Sequence, residues 1–406
     1  TDTTWTASNT YVLKDYIFVE PGATLTIEAG TTIKADVGSG DSAPALIVTQ
    51  GAKINATGTA ANPIVFTSVS DTGSNLTKDN KGLWGGLIIL GKAPINSNGG
   101  SNADNTPLTN TIEGVPTTSG ISGKSIPASY SLYGGTDASD DSGILQYVSI
   151  RHGGAEIGSG NEINGLTLGG VGNGTTINNI EVFANKDDGI EFFGGSVNAK
   201  YLAVAYVGDD SFDFDEGYNG HLQFLLSIQD ESSNRAFEWD GSTESDDLNA
   251  STSTLPHWSA PVISNVTAIG IGKTGTSVHE DDNVGLEIRD NAGGQVWNSI
   301  FTEFAKSIMD VEATSSSKGT VSDTNSSLYG SQALMQNGVL VFQGNLFYNG
   351  GHTDGNTALG TAEGDANTAA AISATDRNNT FSTDPLLIDV DDANGSISPF
   401  PSASSP

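Results

Sequence analysis

Carboxylates recur in this chain at a spacing that suits either a hard cation or acid–base chemistry. Asp187-Asp188-Gly189-Ile190-Glu191-Phe192 is followed by Asp209-Asp210-Ser211-Phe212-Asp213-Phe214 and by Asn234-Arg235-Ala236-Phe237-Glu238-Trp239. A later copy is Asn283-Val284-Gly285-Leu286-Glu287-Ile288. In an extended chain successive side chains face opposite ways. Ile190 and Phe192 therefore share one face and Glu191 the other, and the same holds around Asp213 and Glu238. The apolar members fill an interior, and the carboxylates line its outside.

The anchors Glu191, Asp213, Glu238 and Glu287 step by 22, 25 and 49 residues. A period near 22 to 25 fits one turn of a coil of strands, each turn lying on the one before. Adjacent turns would then be about 4.8 Å apart. Two carboxylates at that spacing repel by about 1 kcal/mol in water and several-fold more at a shielded surface. Such a row calls for cations. The expected ion is Ca²⁺, held near Asp187, Asp188, Glu191, Asp209, Asp210, Asp213, Asp215 and Glu238, because hard oxygen donors suit calcium better than zinc or copper. The plainer alternative is that the Asp residues cap turns and the Glu residues pair with Lys or Arg. A paired-carboxylate hydrolase is a further alternative, with Asp209 and Asp210 beside Asp213 or Glu231 at about 5 to 9.5 Å. His152 and His221 have no Ser or Cys partner that sequence identifies, which favours structural roles for both.

The elements that must position these groups are short strands. Residues 1–20 alternate through Trp5, Tyr11, Leu13, Tyr16 and Phe18, with no helical periodicity and no amphipathic helix to cover a first turn. Strands are expected within 21–30, 45–54, 63–67 and 84–91, each punctuated by Gly, Pro or Asn. Three long excursions interrupt the coil, at about 97–142, 241–260 and 312–332. In the first, Ile112, Val115, Ile121, Ile126, Leu132 and Tyr133 suggest packing back onto the coil. The second holds Glu244, Asp246, Asp247, His257 and Trp258. A second recurring phrase would stack Asn179, Asn265, Asn298 and Asn345 near one corner, where amides hydrogen-bond turn to turn. Residues 362–375 have the composition of one short helix. A single domain over 1–396 with a Ser/Pro-rich tail at 397–406 is expected.

Composition narrows the function classes. The 406 residues include 51 Gly, 16 Lys plus Arg and 48 Asp plus Glu, for a net charge of −32. That charge argues against nucleic acid and against an anionic membrane surface as partners. It favours divalent cations or neutral and basic partners. There is no Cys, so neither a disulfide nor a thiolate metal site exists. No apolar run reaches the ~18 residues of a membrane helix. The chain opens on Thr1, which suggests a processed start.

The runs Gly22–Ile33, Ala45–Ile54, Asn62–Ser68 and Leu83–Leu87, with Tyr133-Gly134-Gly135, Ser142–Gly154 and Asp187–Glu191, resemble secreted bacterial right-handed parallel β-helix proteins of the pectate-lyase-like superfold. The resemblance covers most of residues 20–350. It implies an all-β solenoid and a secreted, extracellular or cell-surface location. It is a poor guide to activity, because this fold carries lyases, hydrolases, adhesins and fibres alike. As a calcium-dependent polysaccharide lyase, the chain would use Arg235, Arg289 or Lys186 to take a proton. Against that, both arginines also fit simple ion pairs, and so acidic a face repels a polyanionic substrate. The likeness of Gly208-Asp209-Asp210-Ser211 to the paired-Asp motif of β-helix pectin hydrolases is loose. The leading expectation is a structural or adhesive protein stabilised by calcium, assembling end to end or by strand addition at its exposed edges. A glycan-binding role through Tyr133, Trp258 or Tyr218 is a further expectation.

Overall fold

Strands three to nine residues long, broken by Gly and Asn, pair with strands one turn away rather than with their chain neighbours. The computed structural model describes residues 1–96, 109–157, 162–241, 258–278, 283–312, 331–336, 338–351, 372–381 and 383–387. Over these residues the chain winds as a right-handed parallel β-helix. Residues 362–371 of the helix expected at 362–375 lie outside the described residues, as do most of the excursions at 241–260 and 312–332 and the whole 397–406 tail.

Two sheets run along the coil. A narrow sheet of nine strands takes one strand from each turn, from Ile17–Val19 through Leu87–Leu90, Leu166–Gly169, Ile190–Phe193, Phe212–Asp215, Arg235–Asp240 and Val284–Arg289 to Ser307–Val311. A broad sheet of fifteen strands supplies the other walls. Register along the narrow sheet is continuous, with Thr167 opposite Glu191, Glu191 opposite Asp213, Asp213 opposite Glu238, Glu238 opposite Glu287 and Glu287 opposite Asp310. The third position of the recurring phrase is small for a steric reason. A Cβ on Gly189 would come within 2.6 Å of the Ser211 carbonyl and 2.4 Å of Val204.

The apolar half of each phrase fills the interior. Phe192, Phe212, Phe214, Phe237 and Trp239 are fully buried. Their rings meet from turn to turn, tilted with centroids 5.3 Å apart for Phe192–Phe214 and stacked at 5.0 Å for Phe212–Phe237. Burying one such side chain contributes about 1.5–3 kcal/mol.

The first excursion folds back over the outer face of the narrow sheet. Ile112, Ile126 and Tyr133 from the excursion form a second, smaller core with Ile47, Ile88, Leu90 and Phe193. Val115 packs against this core, whereas Ile121 is exposed. A two-stranded antiparallel pair, Asn110–Thr111 with Leu132–Tyr133, ties the two limbs of the described part together. The sheet's outer column is apolar under this roof, at Phe18, Ile47 and Ile88, and turns acidic from Glu191 onward.

The broad sheet bends at a corner where one residue per turn takes the left-handed conformation. Tyr147, Asn179, Tyr201, Phe224, Asn265 and Asn298 occupy it with φ between 49° and 62°. Asn179, Asn265 and Asn298 therefore share a corner as the sequence suggests, but Asn345 does not. Gly344 takes that position in its turn, and Asn345 is buried beside it, accepting from the Ser299 backbone N–H at 2.9 Å.

Candidate metal centre

The expected ligands divide into two groups. Asp187, Asp188 and Asp209 offer carboxylate oxygens that lie within 4.8 Å of one another, and so do Asp188, Glu191 and Asp213. Asp188 belongs to both trios. It reaches both because the strand of each turn starts just after its second Asp, which leaves Asp188 at a rim between the loop column (Asp187, Asp209) and the sheet column (Glu191, Asp213). Asp188, Glu191 and Asp213 are buried, while Asp187 and Asp209 are half-buried and mark the open side.

Asp210, Asp215 and Glu238 are engaged elsewhere. Asp210 Oδ1 accepts from the Arg235 backbone N–H at 2.7 Å, and its Oδ2 lies 3.9 Å from the Arg235 guanidinium. Asp215 Oδ1 accepts from the Glu216 backbone N–H at 2.6 Å. Glu238 pairs with Arg289 at 2.9 Å.

The acidic column is therefore neutralised at one end only. Arg289 also binds Asp240 at 2.5 Å, and Arg235 binds Glu287. Among the described residues, no Lys or Arg lies within ion-pair distance of Asp187, Asp188, Glu191 or Asp213. Lys186, adjacent in sequence, turns outward to Glu156 at 2.9 Å. Crowding by protein, and then Asp209, pushes the Asp187 carboxyl well above the usual range. Burial is also the first cause at Asp188 and Glu191, reinforced by Asp187 and by Asp213 respectively. At Asp213 burial is reinforced by Glu238. One oxygen of Asp213 and the side-chain oxygen of Asn164 are buried without a hydrogen-bond partner.

Two contributors escaped sequence reasoning. Asn164 donates to Glu191, and it lies on the turn before Asp188. Its segment, Asn164-Gly165-Leu166-Thr167-Leu168, is an unrecognised copy of the phrase, 24 residues before Asp188, with amide and hydroxyl in place of carboxylates. Glu113 reaches the cluster from the excursion, against Asn164 and Glu191. It keeps an exposed edge, yet the protein packed around it, with Glu162, raises its carboxyl to about 7. No periodic signal marks it.

The roof is clasped at the next turn. Tyr133, fully buried, donates to Glu216 Oε2 at 2.6 Å, and Asn110 donates to the other oxygen at 2.7 Å. This corrects one expectation. Tyr133 and Tyr218 are enclosed, with Tyr218 donating to the Val197 carbonyl at 2.8 Å, so these two rings offer no platform to a sugar, while Trp258 is half-buried against the core.

The remaining candidates are held apart from this cluster. Glu231 pairs with Lys78 at 3.1 Å and belongs to neither carboxylate trio. His152 is buried, and its Nδ1 lies 2.7 Å from the Asn80 carbonyl, a structural role. No helix among the described residues is long and apolar enough to cross a membrane. A family model described as a pectate-lyase-like beta helix domain matches residues 1–371. No curated protein and no solved structure matches the chain.

Proposed function

The chain belongs to the pectate-lyase-like β-helix family, and from that premise we propose that it is a structural or adhesive β-helix, secreted or displayed at a cell surface, whose acidic wall binds calcium. One observation carries the metal reading: two carboxylate trios share Asp188, and among the described residues no Lys or Arg forms an ion pair with either trio. Asp187, Asp188, Asp209, Glu191 and Asp213 would supply the protein oxygens. Calcium takes 6–8 oxygens, which the open side at Asp187 and Asp209 allows water to complete. A bound cation would replace mutual repulsion by attraction and fix the excursion through Glu113. Its role in this reading is to hold the roof on the coil.

The test is calorimetry of the full chain, stripped with EGTA and titrated with CaCl₂. Saturable binding that disappears in Asp188→Asn and Asp213→Asn supports the reading. A flat titration sinks it.

A second reading, a carbohydrate-active enzyme, is favoured by the family match alone. The lyase candidates weigh against it. Arg235 and Arg289 are each held between carboxylates, and Lys186 is paired with Glu156. Unsaturated-product absorbance on pectate and alginate with Ca²⁺, at alkaline pH, distinguishes the two. Activity that falls in Arg235→Lys would overturn the non-enzymatic reading.

A further inference from the structure

The outer face of the broad sheet carries a feature that the metal reading leaves unused. Four successive turns, at 176–178, 198–200, 221–223 and 262–264, form a groove of about 440 Å³. Asn178, Asn198, Lys200, His221, Gln223 and Ser264 line it, and none of its lining residues is acidic. In a chain of 48 acidic and 16 basic residues, a groove of amides, hydroxyls, one lysine and one histidine stands apart from its surroundings. Register sets these groups in rows, with Asn178 opposite Lys200, Lys200 opposite Gln223 and Gln223 opposite Ser264.

The next residue of each row is the left-handed corner. There Tyr201 and Phe224 are exposed, at 46% and 40% of their surface, and their rings stack at 4.9 Å and 7°. Lys200 Nζ lies 5.6 Å from the Tyr201 ring centre, joining platform to groove. The flanking turns place Asn179 and Asn265 at this corner. Asn tolerates positive φ, whereas for a bulky side chain the same conformation is an outlier. Two aromatic rings thus sit in strained backbone, in solvent, where the fold itself shows that Asn suffices. The rings reward one another by stacking, yet both stay exposed, and strain retained at a solvent-facing pair points to function.

We propose that this groove and the Tyr201–Phe224 platform bind a neutral polysaccharide chain. The amides, the hydroxyls and Lys200 would hydrogen-bond sugar hydroxyls, and the ring pair would cover an apolar sugar face. The choice of a neutral chain follows from the charge of −32, which opposes approach of a polyanion. The site lies on the other sheet from the carboxylate trios, so it does not depend on calcium.

The test is affinity electrophoresis of the full chain in gels containing xyloglucan, mixed-linkage β-glucan or galactomannan, with polygalacturonate as the anionic comparison, each with and without EDTA. Retardation by at least one neutral polymer, unchanged by EDTA, is expected. Tyr201→Asn/Phe224→Asn should weaken it about tenfold while leaving the melting temperature unchanged or raised, because neighbouring turns already carry Asn there. Lys200→Met should weaken it with the platform intact. Retardation by polygalacturonate alone, by no neutral polymer, or equally in parent and Asn variants overturns the proposal.

Discussion

The backbone N–H of Asp210 donates to Asp188 Oδ1 at 2.9 Å, so a ligand candidate on one turn is also the clamp on the next. Asp210 repeats the arrangement with the Arg235 N–H at 2.7 Å. On the calcium reading Asp188 would have two duties, one met by a carbonyl-type oxygen and one that needs charge.

Substitution separates them. Asp188→Asn retains an oxygen acceptor and removes the charge, so it should leave the melting temperature of the calcium-free protein unchanged or raised while weakening calcium binding at least about tenfold. Asp188→Ala also leaves the Asp210 N–H without its partner, at a cost of about 1–3 kcal/mol. Urea unfolding paired with calorimetry checks both. Equal calcium affinity in Asp188→Asn and the parent would remove Asp188 from the site.

Calcium should stabilise the chain as any ligand of the native state does. At a free concentration one hundred times the dissociation constant, one site adds about 2.7 kcal/mol. Scanning calorimetry should show the melting temperature rising with CaCl₂ and returning with EGTA. The same titration on Asp188→Asn/Asp213→Asn should show little rise.

Much of the coil was legible because stacking imposes a period. The 22- and 25-residue steps of Glu191, Asp213 and Glu238 became adjacent rungs, and Asp310 continues the column past Glu287 in a segment whose sequence, Ser307-Ile308-Met309-Asp310-Val311, has lost most of the phrase. Asn164 was recoverable on the same principle. Glu113 was not, since its approach depends on an excursion crossing from another turn. The aromatic expectations failed for a related reason. A ring's exposure depends on which face the roof covers, so Tyr133 is enclosed while Tyr201, inside a plain strand, is exposed. Asn345 shows how a one-residue offset at a corner turns a side chain from the outer column into the interior.

Tyr133 reports on the roof. Its hydroxyl is buried and donates to Glu216, which keeps Asn110 as a second donor. Tyr133→Phe should therefore cost about 1–3 kcal/mol and leave the coil folded. Limited proteolysis should cut the excursion sooner than in the parent, with the far-ultraviolet spectrum unchanged. Unaltered cleavage would show that the apolar contacts of Ile112 and Ile126 hold the roof alone.

His152 should give the fold a dependence on mildly acidic pH. Burial holds its imidazole below the ordinary 6.5, outweighing the Asn80 carbonyl and the Asp71 carboxylate, which favour the charged form. The unfolded chain therefore takes up the proton first as pH falls. Stability is fully present above about 6.5 and declines as pH drops from there through the lower folded value, at no more than about 1.4 kcal/mol per pH unit for one proton. Asp71, whose carboxyl is itself held low despite burial by the Gly73 N–H and Thr67, stays ionised through this window and does not cancel the effect. His152 has a φ of 63°, which Asn tolerates, so His152→Asn is the suitable comparison. The raised carboxyls of Glu113, Asp187, Asp188, Glu191 and Asp213 act in the opposite sense as pH falls, so the readout is the difference between parent and variant in urea unfolding at several pH values between about 5 and 7. The parent should lose stability relative to the variant as pH drops, and a difference that stays constant with pH would show that His152 does not carry the dependence.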